Sequence, residues 1–106
     1  MSLFGIFRRR DVNGGVARFR ETEGALLLDV RTRTEYGGGH IAGSTNLPLG
    51  EIAQITELAP DKATPLFVYC QGGARSARAA AYLRKNGYTE VHDLGGIAAY
   101  RGARVR

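Results

Sequence analysis

A chain of 106 residues, 43% hydrophobic and 24% charged, has the size and composition of one small globular domain, which excludes collagen-like, coiled-coil and wholly disordered chains. Its single cysteine, Cys70, excludes an intramolecular disulfide scaffold and fits a reducing, cytoplasmic setting. The net charge is +5, but six of the fifteen basic residues are Arg8, Arg9, Arg10, Arg101, Arg104 and Arg106; the nine others meet ten acidic residues, so no basic face for nucleic acid is expected.

In chain order, the apolar run Leu3-Phe4-Gly5-Ile6-Phe7 precedes Arg8-Arg9-Arg10, the reverse of a secretory signal. No apolar stretch approaches the ~20 residues of a membrane span. Residues 1–10 are read as a flexible basic arm, suited at most to weak contact with an anionic surface, and 11–106 as the folded domain. Val16 and Phe19 share one face of a short helix predicted over 15–22. Ala25 to Val30 is a continuous apolar run broken only by Asp29, the pattern of a strand buried on both faces. Thr32-Arg33-Thr34-Glu35 is a capping box that opens a short helix, which Gly37-Gly38-Gly39 ends. Asn46-Leu47 adds a brief strand before Pro48, and Leu49, Ile52, Ile55 and Leu58 predict an amphipathic helix over 49–58. Leu66 to Cys70 is the second buried strand, followed by a helix from Arg75 to Lys85 that Gly87 stops. Glu90 to Asp93 reads as a third strand, and Gly95-Gly96 leads into a helical turn at Ile97–Tyr100. Strands alternating with helices define an α/β fold with a mainly parallel sheet.

The chemistry is expected at Cys70-Gln71-Gly72-Gly73-Ala74-Arg75-Ser76. Ligand sites in open α/β sheets form at the carboxyl ends of strands, where Cys70 stands. Amides at a helix N-terminus lack intrahelical partners and present partial positive charge. Gly72 and Gly73 let the loop curl so that these amides converge on one point. Such a cradle stabilises a thiolate and needs no separate general base. The bland alternative, Cys70 as a small buried hydrophobe, is outweighed by the glycines and the Arg75-Ser76 pair that follow.

These residues resemble the active-site loop of single-domain rhodanese-like sulfurtransferases. Asp29-Val30-Arg31, Glu35-Tyr36, Gly39-His40-Ile41, Gly43-Ser44 and Asn46-Leu47-Pro48 resemble a second signature of that family. Leu94-Gly95-Gly96 with Tyr100 resembles its C-terminal segment, with tyrosine in place of the usual tryptophan. The likeness spans residues 16–103 and implies a rhodanese fold of about five mainly parallel strands with helices on both faces. It also implies that Cys70 takes the outer sulfur of a donor such as thiosulfate, releases sulfite, and holds a persulfide among the amides of Gln71 to Ser76. A thiol acceptor, small or carried by a thioredoxin-like protein, or cyanide then removes the sulfur. No cofactor and no metal are implied. Arg75 is the candidate for orienting an anionic donor, because its planar fork matches an oxyanion. Ser76 either caps the helix or donates to the persulfide, and the residue pattern leaves that choice open. Asp29 and Arg31 are read as a structural ion pair or loop support, Glu35 as the capping-box acid, and His40 and His92 as neither catalytic nor ligating.

Three rival functions share parts of this pattern. A cysteine phosphatase or arsenate reductase would carry C-x5-R, which requires arginine at the position held by Ser76. Non-catalytic interaction modules of this kind often lack the cysteine, and Cys70 is present here. A sulfur carrier in a relay, with protein donors and acceptors, would keep the same loop and is not separated from the enzyme by sequence.

Overall fold

Strand β4, Leu66–Cys70, is buried along its whole length, and its alternation divides the molecule. Leu66, Val68 and Cys70 face one core; Phe67 and Tyr69 face the other. The computed structural model describes residues 10–106. Before β4 come α1 (Val12–Glu21), β1 (Leu26–Asp29), α2 (Arg33–Gly37), β2 (His40–Ile41) and β3 (Ser44–Asn46), then a 3-10 segment (Leu49–Gln54) that runs into the single turn α3 (Ile55–Leu58). After it come α4 (Ala74–Lys85), β5 (Val91–Gly96), a 3-10 turn (Ile97–Ala99) and β6 (Arg104–Val105).

The central sheet is all parallel and runs β3-β1-β4-β5. It has four strands; the expected fifth is replaced by a separate antiparallel ribbon of β2 and β6. Each parallel crossover needs a covering element, so both faces of the sheet are buried. One core gathers Leu28, Val30, Ile52, Ile55, Val68, Ala79, Ala80 and Leu83, beneath α4 and the 49–58 segment. Alanines at 79 and 80 let α4 lie close to the sheet. The second core gathers Val12, Val16, Leu27, Phe67, Tyr69, Leu94 and Ile97, beneath α1. Full burial of side chains the size of Leu27 or Phe67 contributes about 1.5–3 kcal/mol each.

Several expectations shift in detail. Helix α1 begins at Val12, three residues before the expected start, because the Asp11 carboxylate accepts from Asn13 N–H and caps it. The 49–58 stretch is not one amphipathic helix. Glu51 leaves helical geometry at φ −117° and ψ 16°, and no side chain caps either turn. Strand β5 runs on through Gly95-Gly96 instead of stopping at Asp93. A register shift between Val68 and Tyr69 accommodates it: Asp93 pairs with Val68 but Gly95 with Tyr69, and buried Leu94 is the extra residue. The basic C-terminal end is not a free tail, because Ile41 pairs with Arg104 and His40 with Val105. Of the expected basic arm, residues 1–9 lie outside the described residues. Among the described residues, no helix is long and apolar enough to cross a membrane.

Candidate active site

Cys70 ends β4 and is only 1% exposed, so its side chain forms the floor of the loop above it. The Gly73 N–H donates to its Sγ at 3.0 Å. Gly73 has φ +113°, a left-handed conformation that glycine adopts without strain, and it serves as the N-cap of α4. The first intrahelical bond of α4 is Ala77 N–H to Gly73 O at 3.2 Å. The amides of Ala74, Arg75 and Ser76 therefore belong to the turn that no helical carbonyl can satisfy. Cys70 thus lies below the positive end of a twelve-residue helix.

The wall on the β5 side is set by glycine. A methyl group at Gly96 would overlap the carbonyl oxygen of Gln71 and lie 2.8 Å from Gly72 Cα, so the loop backbone rests directly on this residue. Gly96 pairs with Cys70 in the sheet, and Ala98 N–H donates to Gln71 O at 3.2 Å. The register shift in β5 is what brings Gly96 alongside Cys70. In the sequence Gly95-Gly96 reads as punctuation between elements; a glycine pair four residues before Tyr100 is the signal for this close approach.

The β1 side supplies charge. Asp29 and Arg31, 0% and 3% exposed, form a buried pair with contacts from 2.7 to 3.1 Å. Burial works against the Arg31 charge, yet the hydrogen bonds and charge of Asp29 hold its pKa above the ordinary arginine value. Arg31 Nη1 also donates to the Gln71 side chain at 3.2 Å, and Nη2 to Gly39 O at 2.7 Å. The pair therefore joins the loop after β1 to the loop after β4.

Arg75 and Glu35 form a second link. Arg75 donates through Nη1 and Nη2 to the two Glu35 carboxylate oxygens at 2.7 and 3.0 Å. Glu35 also completes the capping box of α2 by accepting from Thr32 N–H at 2.8 Å. Hydrogen bonding from Arg75 lowers the Glu35 pKa to about 2; burial opposes that shift, and the Thr32 N–H and the Arg75 charge add to it. Arg75 in turn is raised, first by its hydrogen bonds to Glu35, with Cys70 among the smaller charge effects. Ser76 is fully buried, and its hydroxyl faces the carbonyls of Gly73 at 3.1 Å and Gly95 at 3.4 Å. His40 stacks on Tyr36 and His92 on Phe67, both away from the Cys70 loop contacts. Arg10, assigned to the basic arm by sequence, instead donates to Gly73 O at 2.7 Å.

A parallel sheet with a cysteine at the carboxyl end of a central strand, under a glycine loop that opens a helix, has rhodanese architecture. The chain belongs to the rhodanese-like domain family, whose description matches residues 14–103. It is 40% identical over 85 residues to a sulfurtransferase of Allochromatium vinosum, covering 78% of each chain. It is 38% identical over 71 residues to the thiosulfate sulfurtransferase PspE of Escherichia coli, covering 66% of this chain and 68% of that one. The Bacillus subtilis protein YqhL is 45% identical over 83 residues; the match covers 77% of this chain and 64% of YqhL. Among solved structures, a rhodanese with anions from E. coli superposes with a TM-score of 0.72 at 34% identity, covering 77% of this chain and 98% of that one.

Proposed function

We propose that this protein is a sulfurtransferase that carries a sulfane sulfur on Cys70, with thiosulfate or a similar anion as donor. The observation that carries the reading is the Gly73 N–H directed at Cys70 Sγ at 3.0 Å, beneath the amides that open α4. Relatives named sulfurtransferase, PspE among them, support the same class. So does the description of a solved neighbour as a rhodanese with anions.

In the first half-reaction the Cys70 thiolate attacks the outer sulfur of thiosulfate. The new bond is Sγ–S; the S–S bond of thiosulfate breaks and sulfite leaves with its electron pair. The persulfide anion then sits where the amides of Gln71 to Ser76 converge. In the second half-reaction an acceptor thiolate, or cyanide, takes the outer sulfur and regenerates Cys70 as thiolate. No net oxidation occurs. Main-chain dipoles fixed before reaction stabilise negative charge without reorganising, and they are the main catalytic device of this loop. Arg75, positioned by Glu35 through two of its N–H groups, offers the others to the donor's oxyanion. Ser76 acts by fixing the carbonyls of Gly73 and Gly95. A working free thiol suits a reducing compartment such as the cytoplasm, and the acceptor class is a small thiol or a thioredoxin-like protein. A phosphatase reading has less support, because Arg75 is engaged by Glu35 and Ser76 holds the position where C-x5-R needs arginine.

The test is thiocyanate formation from thiosulfate and cyanide, with intact-mass detection of one added sulfur atom on the thiosulfate-treated protein. The Cys70→Ala variant is expected to be folded, unable to take up sulfur, and inactive. Turnover retained in Cys70→Ala overturns the reading.

A further inference from the structure

The geometry points to Arg10 as a positioning residue for the Cys70 loop, an inference that rests on the sulfurtransferase reading for its substrate but not for its contacts. Arg10 Nη1 donates to Gly73 O at 2.7 Å and to Asp93 Oδ2 at 3.0 Å. Asp93 is fixed in turn, since its Oδ1 accepts from Gly95 N–H at 3.1 Å. The guanidinium lies over the left-handed Gly73, where a Cβ would stand 2.9 Å from Nη2. So the residue that points its N–H at Cys70 Sγ has its carbonyl held by an arginine from the far N-terminal side of the domain.

The consequence follows from peptide geometry. No described peptide bond is cis, so the C=O of Gly73 and the N–H of Ala74 point in opposite directions across one plane. Arg10 pulls on the oxygen end; the hydrogen end is the first free amide of α4. A charge-assisted bond at the carbonyl both fixes that plane and polarises it, which strengthens the Ala74 N–H as a donor to an anion in the loop. Ser76 Oγ and Ala77 N–H also donate to Gly73 O, at 3.1 and 3.2 Å. The carbonyl therefore keeps two partners when Arg10 is removed. Arg10 itself is 45% exposed, so its loss opens no core.

The experiment compares alkylation of Cys70 by iodoacetate, an anion, and by iodoacetamide, its neutral analogue. A purely structural change slows or speeds both reagents together; a change in the loop's affinity for anions alters their ratio. For Arg10→Gln the iodoacetate-to-iodoacetamide rate ratio is expected to fall roughly fivefold, the size of a lost charge-assisted hydrogen bond near solvent. Arg10→Lys, which keeps the charge and a donor, restores most of it. Arg18→Gln is the control: Arg18 borders the same surface groove as Arg10 and removes the same charge without an Arg10-like bond to Gly73. Its ratio is expected to stay at the wild-type value. In the thiosulfate assay, Arg10→Gln is expected to raise KM more than it lowers kcat. An unchanged ratio in Arg10→Gln, an equal drop in Arg18→Gln, or a Cys70 that neither reagent alkylates overturns the proposal. If the ratio falls as expected but no variant, wild type included, forms thiocyanate, the donor assignment fails and the role of Arg10 stands.

Discussion

Glu35 and Arg75 meet in a two-pronged ion pair although forty positions separate them in the chain. Glu35 opens α2 just after β1; Arg75 opens α4 just after β4. Because β1 and β4 are neighbours in a parallel sheet, both helices start at the same edge, and the pair ties the two starts together. Asp29, Arg31 and Gln71 make the same connection deeper in the molecule. The Cys70 loop is thus held from the β1 side by two charged struts.

The Glu35 link has a pH signature. A carboxyl whose folded pKa is about 2, against 4.5 for the free group, releases its proton more readily in the folded state. Its contribution to stability is present above pH 4.5 and is lost as pH falls from 4.5 toward 2. Thermal unfolding of wild type and Glu35→Gln is therefore expected to differ most at neutral pH and to converge as the solution is acidified through that window. A difference that stays constant from pH 7 to pH 3 contradicts the ion pair as the source.

Arg75→Ala separates recognition from chemistry. With its guanidinium gone, the Gly73 N–H still faces Cys70 Sγ, but the nearby positive charge is lost. The expected outcome is a KM for thiosulfate raised several-fold, on the order of fivefold for one partly exposed charge-assisted contact, with a smaller change in kcat. Steady-state thiocyanate kinetics read both constants. Kinetics identical to wild type would show that Arg75 only braces α2 against α4.

Gly96 tests the wall of the loop. Gly96→Ala drives a methyl group into Gln71 O and Gly72 Cα, both backbone atoms that cannot rotate away. The loop must move, and the Gly73 N–H that meets Cys70 Sγ moves with it. A stability loss of about 1–3 kcal/mol, typical of overpacking, is expected with a larger loss of kcat/KM than that stability change explains. Gly50→Ala is the matched control, because a Cβ there meets nothing within 4 Å. Denaturant midpoints and thiosulfate kinetics on both variants make the comparison.

The parts of this molecule governed by local rules were legible in the sequence. Leu66–Cys70 reads as a buried strand because five apolar residues in a row can satisfy two cores at once, and they do. Thr32 and Glu35 read as a capping box because the motif is complete within four residues. The Cys70 loop reads from its glycines, since only they allow the turn that Gly73 makes. Contacts between distant segments were not legible. Nothing local tells that Arg10 reaches Gly73, that Glu35 takes Arg75, or that Arg104 pairs with Ile41. The 49–58 stretch misleads for a different reason: its apolar spacing reports a buried face, but Gly50 and the absence of a side-chain cap leave Leu49–Gln54 as a 3-10 segment with only the single α-turn Ile55–Leu58 behind it. Leu94 is the subtlest case, because a one-residue bulge shifts Gly95-Gly96 into the sheet without any composition signal of its own.

The Asp29–Arg31 pair carries the last prediction. Both groups are nearly sealed from water, so removing either leaves a buried charge without its partner. Arg31→Leu is expected to cost about 3–5 kcal/mol, the range for breaking a buried pair from one side, and to free the Gln71 side chain at the same time. Asp29→Leu is expected to fall in the same range, and it also strips the Arg31 N–H of its 2.9 Å acceptor. The double variant should cost clearly less than the two single losses added together, because no uncompensated charge then remains. Chemical denaturation of the two single variants and the double variant closes the cycle. If the losses are additive, the two side chains act independently; a strong positive coupling establishes the pair as the inner strut that sets the position of Gln71 beside Cys70.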